Sequence, residues 1–200
     1  ALMNLTNLIN VGFYGVFELL TGHEMASNLD DVMTGVSVLM VLTTVILAPV
    51  FEELTFRYLA LNKLRKYGDK TAILVTAVLF GLFHMNFEQA IYAFAIGLVF
   101  GYVVCRTGRV IYTILLHGMV NFCGGVVPML VEKMDSPIVN LIYYLLFYTA
   151  LIIGIVLFIL NRKKIKFKQP LEPVEHPVAS FLTSPGMLIF VIASILVAFV

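Results

Sequence analysis

Charge is what this sequence has least of. Only 12% of its 200 residues are Asp, Glu, Lys or Arg, against the ~25% usual in soluble domains. With 60% hydrophobic residues and a mean hydropathy of +0.99, the chain cannot cover a water-soluble fold with polar groups. Long apolar runs point to lipid as its solvent. Cysteine is also scarce. Cys105 and Cys123 both sit in apolar runs, where thiols read as small hydrophobes, and no disulfide framework or CxxC knuckle is available. HExxH is absent, which removes the usual helix-borne zinc protease pattern. The glycines of "CGG" (123–125) have no Lys-Ser/Thr pair after them, so a phosphate loop is not expected. No internal repeat or low-complexity tract occurs. No basic stretch precedes the first apolar segment, so a signal peptide is not expected. The start at Ala1 and the stop at Val200 inside an apolar run read as the ends of a fragment.

Seven apolar segments are present, at roughly 1–20, 33–61, 71–86, 88–105, 110–130, 138–160 and 185–200. They predict an all-α, polytopic bundle of about seven spans forming one integral-membrane domain over 1–200. The third segment is short for a ~30 Å hydrocarbon core. The loops alternate in charge: Glu24, Asp30 and Asp31, then Lys63, Arg65, Lys66 and Lys70, then Glu88, then Arg106 and Arg109. The mixed "EKMDSP" (132–137) is followed by the basic "NRKKIKFK" (161–168). By the positive-inside rule every second loop is cytoplasmic and the first segment starts inside. The basic run marks topology rather than a nucleic-acid partner. It opens a cytoplasmic linker of about 161–184, in which His176 is expected to be solvated.

A few residues do not belong in oil. Glu52, Glu53, Arg57, His84 and His117 are ionisable groups within apolar segments, with Asn121 as a polar companion. Each ionisable group costs about 2.5–3.5 kcal/mol on insertion scales, so such residues default to functional candidates. Counting 1.5 Å per residue from the basic loops places them ~12–21 Å deep, from one side. The spacing makes Glu53/Arg57, Phe80/His84 and His117/Asn121 neighbours one helical turn apart. Glu52 is rotated about 100° from Glu53, so the two carboxylates face different partners. One is the expected base or ligand and the other is held by Arg57; which is which stays open. Tyr143, Tyr144, Phe147 and Tyr148 read as lipid contacts. Glu88 and Tyr92 read as residues of an outer membrane edge with no chemistry. Ser37 of "GVS" lies too far along its helix from Glu52 to serve as a nucleophile there. Asp69 falls in a loop, outside any membrane aspartyl dyad.

Three motifs stand in order: "EELTFR" (52–57), "FGLFH" (80–84) and "HGMVN" (117–121). Together they resemble the CPBP family, the CAAX proteases and bacteriocin-processing enzymes also called Abi. The likeness covers the catalytic core, about 40–130. It implies an intramembrane endopeptidase in which Glu52, Glu53, His84, His117 and Asn121 are catalytic, supported by Arg57 and Phe80. Asn121 would lie near the developing oxyanion. The implied substrate is a membrane-anchored or lipidated peptide or protein, and a bacterial source would place the protein in the cytoplasmic membrane.

The chemistry of these residues leaves two routes open. A glutamate with a histidine can activate water, and further donors can stabilise an oxyanion. Alternatively His84, His117 and Glu52 or Glu53 could hold Zn²⁺ with a position left for water. The Glu-Glu-Arg cluster favours the first, because it places a cation beside a would-be metal ligand. Two non-enzymatic readings compete. A scaffold or bacteriocin-immunity protein would use the cluster as structure and yield no cleavage product. A proton transporter would give pH-dependent flux, although no inverted repeat favours it.

Overall fold

The computed structural model describes residues 18–19, 37–172 and 174–198. The expected first segment and the acidic loop after it therefore lie almost wholly outside the described residues. Within them the chain is helical, with no strand. Helix α1 (Val38–Tyr67), α3 (Phe87–Thr107), α4 (Ile111–Lys133) and α5 (Pro137–Lys164) are long and apolar enough to cross a membrane. Helix α2 (Asp69–Phe83) has only 15 residues, or ~22 Å of length. Short helix α6 (Pro177–Leu182) and helix α7 (Pro185–Ala198) follow. The apolar segments from 33 onward thus become helices; four of them reach spanning length among the described residues, and the third is short, as expected.

Local chemistry sets the boundaries. Ser37 caps α1 by accepting from the Met40 N–H at 3.1 Å, which is the role the structure gives the serine of "GVS". Between α2 and α3, Met85 turns with φ 49°, and the Asn86 side chain accepts from the N–H groups of Glu88 and Gln89. Gly108 in the left-handed region closes α3, and Pro137 opens α5 at a position where no N–H is needed.

The chain divides into two compact units, Ala1–Val50 with Ile114–Ile165, and Phe51–Thr113 with Lys166–Val200. In the second unit α2 and α3 pack backbone to backbone: a Cβ on Gly97 would lie 3.0 Å from the Ala77 Cα. Two apolar clusters fill that unit, one around Leu61, Ile73 and Val104 and the other around Phe56, Phe80 and Ala93. The expected linker is docked at its start. Lys168 donates its N–H to Asp69 Oδ2 at 2.9 Å and accepts from the Asp69 N–H at 3.2 Å. Leu171 and Glu172 both donate to the Lys66 carbonyl, and Phe167 lies against Tyr102. Asp69 is consequently buried at the first turn of α2, where it also pairs with Arg65. His176 is exposed, as expected.

In the first unit α5 buries none of its residues. Its Tyr143 and Phe147 rings stack at 5.7 Å. A 28-residue helix of such composition with no buried residue needs an apolar surrounding, which a bilayer provides.

Candidate active site

Within α1 the backbone widens into π-type turns at Thr43–Leu47 and Leu54–Leu61. Glu52 and Glu53 lie on the short α-helical piece between them, Ala48–Glu53. Such wide turns inside helices recur at functional positions.

The two carboxylates differ sharply. Glu53 is fully buried, and its Oε1 lies 3.0 Å from Nη1 of the equally buried Arg57. Glu52 is half-buried and lies within electrostatic reach of Arg57 as well. The sequence left open which carboxylate Arg57 holds; it is Glu53. An ion pair taken out of water needs more than its own attraction to survive, and aromatic rings supply part of it. The Arg57 guanidinium carbon stands 4.1 Å from the Phe80 ring centroid, with Phe100 at 5.5 Å and Phe56 at 6.0 Å. Ring faces attract a desolvated cation by about 2 kcal/mol.

Phe80 links this pair to the second motif. Its ring meets the His84 ring edge-on at 5.0 Å, and its carbonyl lies 2.8 Å from His84 Nδ1. A carbonyl only accepts, so Nδ1 carries the proton and Nε2 holds the lone pair of the neutral ring. His84 is half-buried at the C-cap of α2. Tyr92, from α3, stands with its ring 6.5 Å from that of His84. It packs on the Phe56–Phe80 cluster and lies within electrostatic reach of Glu52 and Glu88. From the sequence alone Tyr92 reads as an edge residue. The structure places it beside the histidine, because the Asn86-capped turn folds α3 back along α2.

The second unit thus brings together Glu52, Glu53, Arg57, Phe80 and His84. The third motif belongs to the first unit. His117 is buried there, and Asn121 donates its Nδ2 to the Thr44 carbonyl at 2.9 Å. Histidine and glutamate are suitable donors for zinc. Among the described residues, however, no three His, Cys, Asp or Glu side chains gather as a metal-holding group. Arg57 beside Glu53 adds an unfavourable cation.

Comparison with known proteins bears on the same region. Residues 34–123 match the family described as "Type II CAAX prenyl endopeptidase Rce1-like". Over this segment the chain is similar to that CAAX protease family. The match contains all three motifs. The chain is also 30% identical over 109 residues to a Bacillus subtilis (strain 168) protein named "Putative membrane peptidase YdiL". That alignment takes in 54% of this chain and 44% of the relative, so the chain spans less than half the length of the protein it matches. No solved structure matches it significantly. With this likeness and four helices of spanning length and composition among the described residues, the chain is an integral membrane protein.

Proposed function

We propose that this chain is an intramembrane endopeptidase that hydrolyses a peptide bond of a membrane-anchored or lipidated peptide, with Glu52 as the base that activates water. The observation that carries this reading is the asymmetry of the two adjacent carboxylates. Glu53 is fully buried against Arg57, whereas Glu52 is half-buried. A base must reach its water, and although its Oε2 is buried, Glu52 is the one of the two residues that keeps some exposed surface.

The chemistry then follows from this chain's own groups. Glu52 takes a proton from water as its oxygen attacks the scissile carbonyl carbon. The tetrahedral oxyanion needs donors, a role for which His117 is proposed. Collapse breaks the C–N bond as the proton passes to the leaving nitrogen. His84, with its proton held on Nδ1 by the Phe80 carbonyl, has Nε2 suited to accept and return a proton during this transfer. The Glu53–Arg57 pair fixes the helix that carries Glu52. The substrate class is read from the family description, and entry from the cytoplasmic side or laterally from lipid from the depth of the motifs.

The test uses the purified chain in detergent, incubated with prenylated CAAX-type peptides and with unprenylated leader-bearing peptides. New termini are read by mass spectrometry beside a His84→Ala control. Cleavage by the wild type that disappears in the control supports the proposal. A folded wild type that cleaves no peptide of either class counts against it.

A further inference from the structure

We propose that Asn121 is a positioning residue that closes the break Pro49 makes in α1, and that Gly118 lets α4 come close enough for it to do so. All the atoms involved lie in the first unit. Proline has no N–H, so Pro49 cannot donate to either of the carbonyls a helix would offer it, Val45 four residues back or Thr44 five residues back. The preceding turn is π-type: the Ala48 N–H goes to the Thr43 carbonyl rather than to Thr44. The Thr44 carbonyl is therefore missed by both nearby backbone donors, one diverted and one absent. The Asn121 amide supplies the missing donor from another helix, 77 positions away, at 2.9 Å. A carbonyl only accepts, so the group facing it must be the NH₂ end of the side chain.

Gly118 lies one turn before Asn121. A Cβ there would stand 2.6 Å from the Val45 carbonyl oxygen, which is closer than any side chain tolerates. The two carbonyls that Pro49 cannot serve are thus the two that α4 meets, one by hydrogen bond and one by close backbone approach. Pro49 itself is fully buried and stands three residues before Glu52. The contact fixes the course of α1 just ahead of its carboxylates. One amide proton of Asn121 is spent on this bond, and through it the residue acts on hydrolysis by holding the backbone of α1, whatever its second N–H does. That consequence rests on the peptidase reading; the contact does not.

A double-mutant cycle on the full chain in detergent tests this, with Asn121→Ala, Pro49→Ala and the two combined. The readouts are the thermal unfolding midpoint and, where a cleaved peptide is in hand, kcat and KM. Asn121→Ala should lower the midpoint by roughly 3–10 °C, as for a lost buried hydrogen bond. In the Pro49→Ala background a backbone N–H is available again, and the same substitution should lower the midpoint by less than half as much. The kcat lost in Asn121→Ala should recover in the double variant. Equal losses in both backgrounds would overturn the proposal, as would a kcat loss indifferent to Pro49 with no change in midpoint, the signature of a direct oxyanion donor. If Asn121→Ala does not fold, Asn121→Asp takes its place, having the same shape without the amide donor. The midpoint cycle is read whether or not any peptide is cleaved, so the failure of the peptidase reading and of this proposal are distinguishable.

Discussion

The Arg57 guanidinium lies over the ring of Phe80, its carbon 4.1 Å from the ring centroid. These two residues come from different motifs and different helices. The contact explains why a phenylalanine stands one turn before His84: its ring receives the cation that holds Glu53.

Breaking the Glu53–Arg57 pair from one side should destabilise the protein. Glu53→Gln or Arg57→Met leaves a buried charge uncompensated, at a cost of about 3–5 kcal/mol. The double variant Glu53→Gln/Arg57→Met should be more stable than either single one. Thermal unfolding in detergent measures all three, and additive losses would speak against the pair.

Phe80→Leu keeps an apolar side chain but removes the ring face. The cation–ring attraction is worth about 2 kcal/mol when desolvated, which corresponds to an unfolding midpoint roughly 4–8 °C lower. Because the ring acts through Arg57, the same change in an Arg57→Met background should cost markedly less. Midpoints of the four proteins check this.

These relationships were unequally legible in the sequence. The i,i+4 spacings of Glu53/Arg57 and Phe80/His84 follow from helical geometry, so the motifs could be placed on helix faces at once. Which carboxylate Arg57 takes could not, since both lie within reach of a long side chain. Tyr92 escaped notice because its place beside His84 depends on the turn at Met85 and Asn86. The Thr44 carbonyl escaped because a backbone acceptor leaves no mark on the sequence, although Pro49 in an apolar helix was a visible sign of one. The pairing of Lys168 with Asp69 joins residues 99 positions apart, and an exposed basic run carries no signal of its docking partner.

That pairing makes its own prediction. Asp69→Ala removes the acceptor of the Lys168 N–H and the partner of Arg65. The stretch 165–172 should then detach, and limited trypsin digestion at Lys164, Lys166 and Lys168 should quicken several-fold. Unchanged cleavage rates would mean that backbone contacts to Lys66 hold the stretch unaided.

The choice between routes to hydrolysis is open to measurement without a substrate. Protein purified without added metal should carry well below one zinc per chain, and once a cleaved peptide is found its hydrolysis should resist chelators. One zinc per chain, lost in both His84→Ala and His117→Ala, would instead make those histidines ligands.

The central claim is that Glu52 activates the water while Glu53 secures the helix. Its most direct test compares the cleavage rates of Glu52→Gln and wild type, with unfolding midpoints measured on both proteins. The account predicts a fall in kcat of about 10²–10⁴ for Glu52→Gln with a midpoint close to wild type. A Glu52→Gln protein that cleaves at the wild-type rate would contradict it.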